Sequence, residues 1–408
     1  MFRYLRRFDH RYDGSSGRRN RLGRMHLVST FVFGLTASLL VYFLVGYPLL
    51  LAIFPWRHGP PIAKDPERVR PVTVLLPVYN GAGVLRQKLE SILALDYPRH
   101  LLDILVISDG STDGTDAIAR EFVSSGVRLL RVPRGGKAAA LNAGIEQARG
   151  EILFFTDVRQ KLAPDSLRHL VACLADPSVG SVTGELHIVT GDRQEEADMS
   201  LYWRYEVWAR KQMSQIDSIF GATGCIYAMP RELVAPIPPD TLGDDAAFPL
   251  GAFFRGYRMI LDGEAKAYDL ASPLDSEFQR RMRTLAGLWQ NLIRRPELLG
   301  FHDRMWLHFV SHKFGRLALP WLALAALTSA FWLRSPWREA ALGSAAAVAA
   351  LAAADPLLPQ RWALKRITSP ARTTLVMLAA SLCSVSVFFV SPQSLWKRTR
   401  VGAEQRED

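Results

Sequence analysis

Tyr79, Asn80, Asp109, Lys137 and Asp157 each stand just past the end of a short apolar run. The words are Pro77 to Asn80 (PVYN), Asp109 to Asp113 (DGSTD), Gly135 to Lys137 (GGK) and Thr156 to Arg159 (TDVR). Together they supply an aromatic face, several carboxylates and a lysine. A nucleotide needs this set: a surface for its base, acceptors for base or ribose, and positive charge for a diphosphate. Each word alone is weak. DGSTD by itself is a turn, with Asp and Gly supplying the backbone geometry. Lys137 at a helix start is unfavourable without an anion nearby, which favours a phosphate there. Four matches at four successive strand ends outweigh the separate readings.

The elements that must hold these residues are legible from the pattern. Strands are expected at 72–77, 104–108, 127–132 and 152–155, with helices at 82–95, 115–124 and 137–149 between them. Such alternation with short links predicts a mainly parallel sheet with helices on both faces. Ligands of open α/β sheets bind outside the carboxyl ends of the strands, where the four words fall. Further on, a helix is expected at 164–176, a strand at 184–189, a helix at 196–219 and a strand pair at 257–269.

The words, in this order over 72–283, resemble family 2 glycosyltransferases, the GT-A fold group of cellulose, chitin and hyaluronan synthases. PVYN, DGSTD, Gly135 to Gly144 (GGKAAALNAG), Phe155 to Asp157 (FTD) and Gly243 to Asp245 (GDD) carry the resemblance. It implies a GT-A mixed, mainly parallel sheet flanked by helices. It implies that Pro77, Tyr79, Asn80, Asp109, Ser111, Asp113, Lys137, Asn142, Asp157 and Arg159 lie about the nucleotide-sugar. Asp109 would contact the nucleoside. Asp157 would be the first carboxylate of an Asp-x-Asp motif, near ribose and metal. Inverting transfer needs a base for the acceptor hydroxyl, and a carboxylate near the anomeric carbon suits that task. Asp245 is the expected base, with Asp244 in support. Phe220 to Gly224 (FGATG) resembles the segment that meets the acceptor, so Gly221, Thr223 and Gly224 are expected there, with Arg280 and Arg283 toward the diphosphate.

The departures bear on mechanism. Arg159 stands where the second Asp of Asp-x-Asp would be. A guanidinium can replace part of a cation's charge at phosphate. Either a divalent ion, Mg or Mn, is then held by Asp157 and few other protein ligands, or its binding is weakened or absent. Arg280 and Thr284 take the glutamine and tryptophan positions of the Gln-x-x-Arg-Trp motif, and Arg283 keeps its arginine. The absent tryptophan weighs against cellulose-like processivity. His308 and His312 are four apart but lack a third ligand, which argues against zinc. Gly81 and Gly83 after the first strand suggest a dinucleotide fold, but Arg86 replaces the third glycine.

Charge-free runs frame this domain: 28 residues at 27–54, 17 at 317–333, 15 at 340–354 and 23 at 373–395. A crossing takes about 20 apolar residues. The expected organisation is a basic segment at 1–26, a transmembrane helix at 27–56 and a GT-A domain at 65–283. Interfacial amphipathic helices follow at 284–306, about three transmembrane helices at 307–395, and a polar tail at 396–408. Residues 27–54 are too long an apolar run for a signal-peptide core. The net charge of +11 gathers beside the apolar runs, so anionic lipid is the expected partner rather than nucleic acid. Three distant cysteines give no disulfide framework.

The expected activity is inverting transfer from a nucleotide-sugar, a UDP-sugar by resemblance, to a glycan or lipid-linked acceptor. The expected location is the cytosolic face of a bacterial inner membrane. A catalytically degenerate membrane scaffold is the alternative. One crossing at 27–54 would put the Arg-rich start outside, against the positive-inside tendency.

Overall fold

A computed structural model describes residues 14–53, 59–189, 194–270, 274–359 and 362–395. The basic residues Arg3, Arg6, Arg7 and Arg11, the loop residue Arg361 and the tail at 396–408 lie outside these. One eight-stranded sheet organises the middle of the chain. Its strands are β1 (Val72–Val78), β2 (Leu102–Asp109), β3 (Val127–Val132), β4 (Ile152–Phe155), β5 (Lys161–Leu162), β6 (Val179–Val189), β7 (Tyr227–Pro230) and β8 (Arg258–Leu270). Their spatial order is β3-β2-β1-β4-β7-β6-β8-β5. β1 to β4 run parallel, β7 is antiparallel to β4 and β6, and β6 is parallel to β8. The sheet is therefore mixed and mainly parallel, as expected.

Alternation along β1 sends Val72, Val74 and Leu76 to one face and Leu75 to the other. The first face packs on helices Ala82–Leu93 and Ser166–Cys173, the second on Lys137–Gln147 and Asp244–Phe253. Both faces are covered, which explains why the strands read as near-continuous apolar runs.

The expected strand pair at 257–269 is a single 13-residue strand, β8. Asp262-Gly263 reads as a hairpin turn in sequence. In the fold it forms an irregularity where the pairing with β6 shifts between Thr183 and Glu185. β5 and β7, two and four residues long, were too short to read from the pattern.

Three helices among the described residues are long and apolar enough to cross a membrane: Gly23–Ile53, Trp337–Leu357 and Lys365–Phe388. The 317–333 run forms a 16-residue helix, Gly315–Ala330, shorter than a crossing needs, although helical turns lead into it from Trp306. It packs along helix Gly14–Val41. The amphipathic helix starts earlier than expected, at Leu274, and ends at Arg294. Its Ala286 and Leu292 are covered by neighbouring protein, while Ile293 is exposed. Helix Lys365–Cys383 packs on it and on helix Gln194–Ile216. These contacts fasten the apolar helix Lys365–Cys383 to two helices of the middle of the chain.

Candidate active site

A cavity of about 810 Å³ opens at the carboxyl ends of β1, β2 and β4. Pro77, Tyr79, Asn80, Asp109, Lys137, Asp157, Arg159, Gly221, Thr223, Gly224, Asp244, Asp245, Arg280 and Arg283 all line it. Ser111, Asp113 and Asn142 do not. Ser111 Oγ accepts from the Asn80 amide at 3.1 Å, and Asp113 accepts from the amides of Ala82 at 3.1 Å and Thr115 at 3.0 Å. They brace the loops behind the wall. Asn142 clamps the backbone of Ile237, donating to its carbonyl at 2.7 Å and accepting from its amide at 3.1 Å.

At one end, Asp109 is buried at the tip of β2. Its carboxylate accepts from the amides of Gly135 at 2.7 Å and Gly136 at 3.0 Å, and pairs with Arg134. Gly136 has φ of 90°, a conformation that favours glycine. The Arg134 guanidinium lies 3.7 Å from the Tyr79 ring centroid, a cation–π stack. Arg134 was not singled out in the sequence, although it directly precedes Gly135-Gly136-Lys137.

In the middle, helix Lys137–Gln147 begins with the lysine pointing into the cavity. Its Nζ lies 2.8 Å from Asp157 Oδ1 and 3.1 Å from Asp244 Oδ2. Burial works against its charge, yet Asp157, Asp244 and Asp245 together hold the ammonium well above its usual range. Burial also raises both Asp244 and Asp245, with Asp244's negative charge adding to the rise at Asp245, which is pushed up to about 6. Gly224 leaves room for two of these carboxylates. A Cβ there would stand 3.2 Å from Asp245 Oδ2 and 3.6 Å from Asp157 Oδ2. The Ala222 amide ties the same loop to the Asp245 carbonyl at 2.7 Å.

Arg159 lines the wall and pairs with Asp269, which also accepts from Gln160 at 2.8 Å. On the amphipathic helix, Arg280 and Arg281 share the buried Glu277, and Arg283 faces the three aspartates of the centre. Glu206, Arg210, Phe309, Lys313 and Arg316 line the same cavity. Those residues come from elements far apart in sequence, and no local signal marked them. His308 and His312 lie behind this wall, His308 against the Tyr47 hydroxyl and His312 against Glu206 and Arg316.

A divalent cation fits only in part. The described residues hold no group of three His, Cys, Asp or Glu arranged to cage a metal, and Lys137 already fills the gap between Asp157 and Asp244. Asp157 can offer a ligand, with the rest coming from a bound diphosphate.

Residues 73–235 match the model of the family described as glycosyl transferase family 2. The chain is 27% identical over 224 residues to glycosyltransferase AglE of Haloferax volcanii, covering 53% of this chain and 72% of that protein. It is 24% identical over 322 residues to a poly-beta-1,6-N-acetyl-D-glucosamine synthase of Staphylococcus aureus, covering 71% and 73%. Among solved structures, the mannosyltransferase PcManGT of Pyrobaculum calidifontis, described in complex with GDP-Man and Mn2+, superposes with a TM-score of 0.65. It is 27% identical, covering 90% of this chain and 99% of that one.

Proposed function

We propose, for a chain that carries a family 2 glycosyltransferase domain of GT-A fold, inverting transfer from a nucleoside-diphosphate sugar to an acceptor at the membrane surface. The observation that carries this reading is that the Asp157 and Asp245 carboxylates both lie beside Gly224, with Lys137 between Asp157 and Asp244. Tyr79, Asp109 and Arg134 form the nucleoside end. Lys137 and Arg283 face the diphosphate, where cations stabilise the charge that develops as it leaves.

In the reaction, the acceptor oxygen forms a bond to the sugar's anomeric carbon on one face. The bond from that carbon to the diphosphate breaks on the other, its electron pair leaving with the nucleoside diphosphate. The acceptor's hydroxyl proton goes to Asp245. Its raised affinity for a proton suits a general base near neutral pH. A divalent cation, when bound, would be held by Asp157 and the diphosphate and would neutralise the leaving group. The pairing of Arg159 with Asp269 leaves this constellation intact, which argues against a degenerate scaffold.

The three long apolar helices support a membrane location, and the cytosolic supply of nucleotide sugars supports a cytosolic catalytic face. The test is incubation of the purified full chain with a panel of UDP- and GDP-sugars and membrane lipid extract, with products identified by mass. A glycosylated product that disappears in Asp245→Asn is the expected result. Failure of every donor to turn over would overturn the proposal.

A further inference from the structure

Tyr227 stands behind the cavity wall rather than in it. It lies on β7, opposite Phe155 in the pairing with β4, and is fully buried. Its ring stacks on that of Phe155, with centroids 4.4 Å apart and planes within 1° of parallel. Phe155 in turn packs on Phe248 at 5.4 Å, and Phe248 lies one turn after Asp244 on helix Asp244–Phe253. The same apolar cluster takes Ala138 and Leu141 from the helix that Lys137 begins. Tyr227 therefore shares a core with the two helices that carry Lys137 and Asp244 into the site. Among the described residues its hydroxyl has no hydrogen-bond partner, and it is closed off from solvent. Phe would fill this space equally well, and burying an unmet hydroxyl is costly. Burial, followed by the charges of Asp244, Asp245 and Asp157, holds the phenol's proton well above its usual range, so the group is a neutral donor.

Asp244 presents the complementary feature. Its Oδ2, buried as well, accepts no hydrogen bond among the described residues, although Lys137 Nζ stands 3.1 Å away as its ion-pair partner. As charge develops on the leaving diphosphate, the Lys137 ammonium turns toward the phosphate oxygens. Its hold on Asp244 weakens at the moment when Asp244 must stay in place beside the base. We propose that Tyr227 is a positioning residue, and that its hydroxyl donates to Asp244 while Lys137 serves the leaving diphosphate. This rests on the transferase reading above. Asp245 and Asp157 also act on the phenol by charge, but less strongly than Asp244. No proton is transferred in this step. The phenol keeps its proton, and Asp244 stays ionised and fixed beside Asp245, which takes the acceptor's proton.

The experiment uses the full chain in bilayer nanodiscs. Turnover by the parent is read first, so failure of the transferase reading shows itself before any variant is compared. Tyr227→Phe then removes the hydroxyl and keeps the ring. Its kcat should fall about tenfold while the donor KM moves less than about twofold, because the lost bond belongs to the state in which the diphosphate leaves. Its melting temperature should match or exceed the parent's, since an unmet buried hydroxyl is gone. A tyrosine that serves packing alone would show the reverse, with kcat retained and stability lost. A structure of the parent with the active donor's nucleoside diphosphate bound should place Tyr227 Oη about 2.7 Å from an Asp244 oxygen. An unchanged kcat in Tyr227→Phe overturns the proposal. So does a clear drop in its melting temperature, or a nucleoside-diphosphate complex in which the phenol stays more than about 4 Å from Asp244.

Discussion

Lys137 Nζ lies 2.8 Å from Asp157 Oδ1, so the first residue of one helix neutralises the carboxylate that ends a neighbouring strand's loop. The same ammonium is 3.1 Å from Asp244. Lys137→Met would leave Asp157, Asp244 and Asp245 facing one another and would remove a donor from the leaving diphosphate. The expected result is a fall in kcat of about a hundredfold or more, with a smaller rise in donor KM. Lys137→Arg should retain part of the rate. Steady-state kinetics with the active donor check this, and an unchanged kcat in Lys137→Met would rule out the role.

Asp245 gives a pH dependence of definite sign. Its proton affinity is raised to about 6 by burial and by the charge of Asp244. Only the ionised form takes a proton, so kcat should climb as pH rises through about 6 and level off above 7. The stability trend is opposite. Between the ordinary carboxylate range and pH 6 the folded chain holds more protons here than the unfolded one, so this group's contribution falls as pH rises through that window. Asp245→Asn should therefore be inactive yet melt a few degrees higher at pH 7.5. A lower melting temperature would contradict the buried charge.

The sequence made the parallel half of this architecture legible, and the reason is physical. Each strand from β1 to β4 is buried on both faces and reads as an apolar run, and the ligand-facing words sit at their ends. β7 escaped because four residues ending in Pro230 carry no period. The bend at Asp262-Gly263 escaped because a turn signal and a bulge use the same residues. Within the cavity, residues beside a strand end were readable, while Glu206, Arg210 and Arg316 reach it from the faces of helices. Ser111 and Asp113 show the reverse: in the right word, they turn their side chains to the loop rather than to the cavity.

Gly224 separates packing from chemistry. The three atoms nearest a methyl there are all side-chain atoms: Asp245 Oδ2 at 3.2 Å, and Asp157 Oδ2 and Asp245 Cβ at 3.6 Å. Gly224→Ala should fold with a melting temperature close to the parent and lose activity about tenfold or more, because the Asp245 carboxylate must give way beside the new methyl. The measurement pairs thermal unfolding with kcat. Full activity would show that the Asp245 carboxylate does not need the space beside Gly224.

Lys88 lies under the site without touching the cavity. It is fully buried on helix Ala82–Leu93, and its Nζ donates to Thr156 Oγ1 at 2.7 Å and to the Gln160 carbonyl at 2.7 Å. Those two bonds bracket the turn that carries Asp157 and Arg159, which makes Lys88 a positioning residue. Lys88→Met should lower kcat more than it changes donor KM, because Asp157 loses its support while the nucleoside end is untouched. Burial lowers the lysine's affinity for a proton to about 8. Between pH 8 and its usual range near 10.4, the unfolded chain binds a proton that the folded chain does not, so this group's contribution to stability rises with pH across that window. The melting temperature of the parent, compared with that of Lys88→Met at each pH, should therefore improve from pH 8 to 10. A difference that stays flat over that range would mean that Lys88 is not buried as a charge beneath the aspartate.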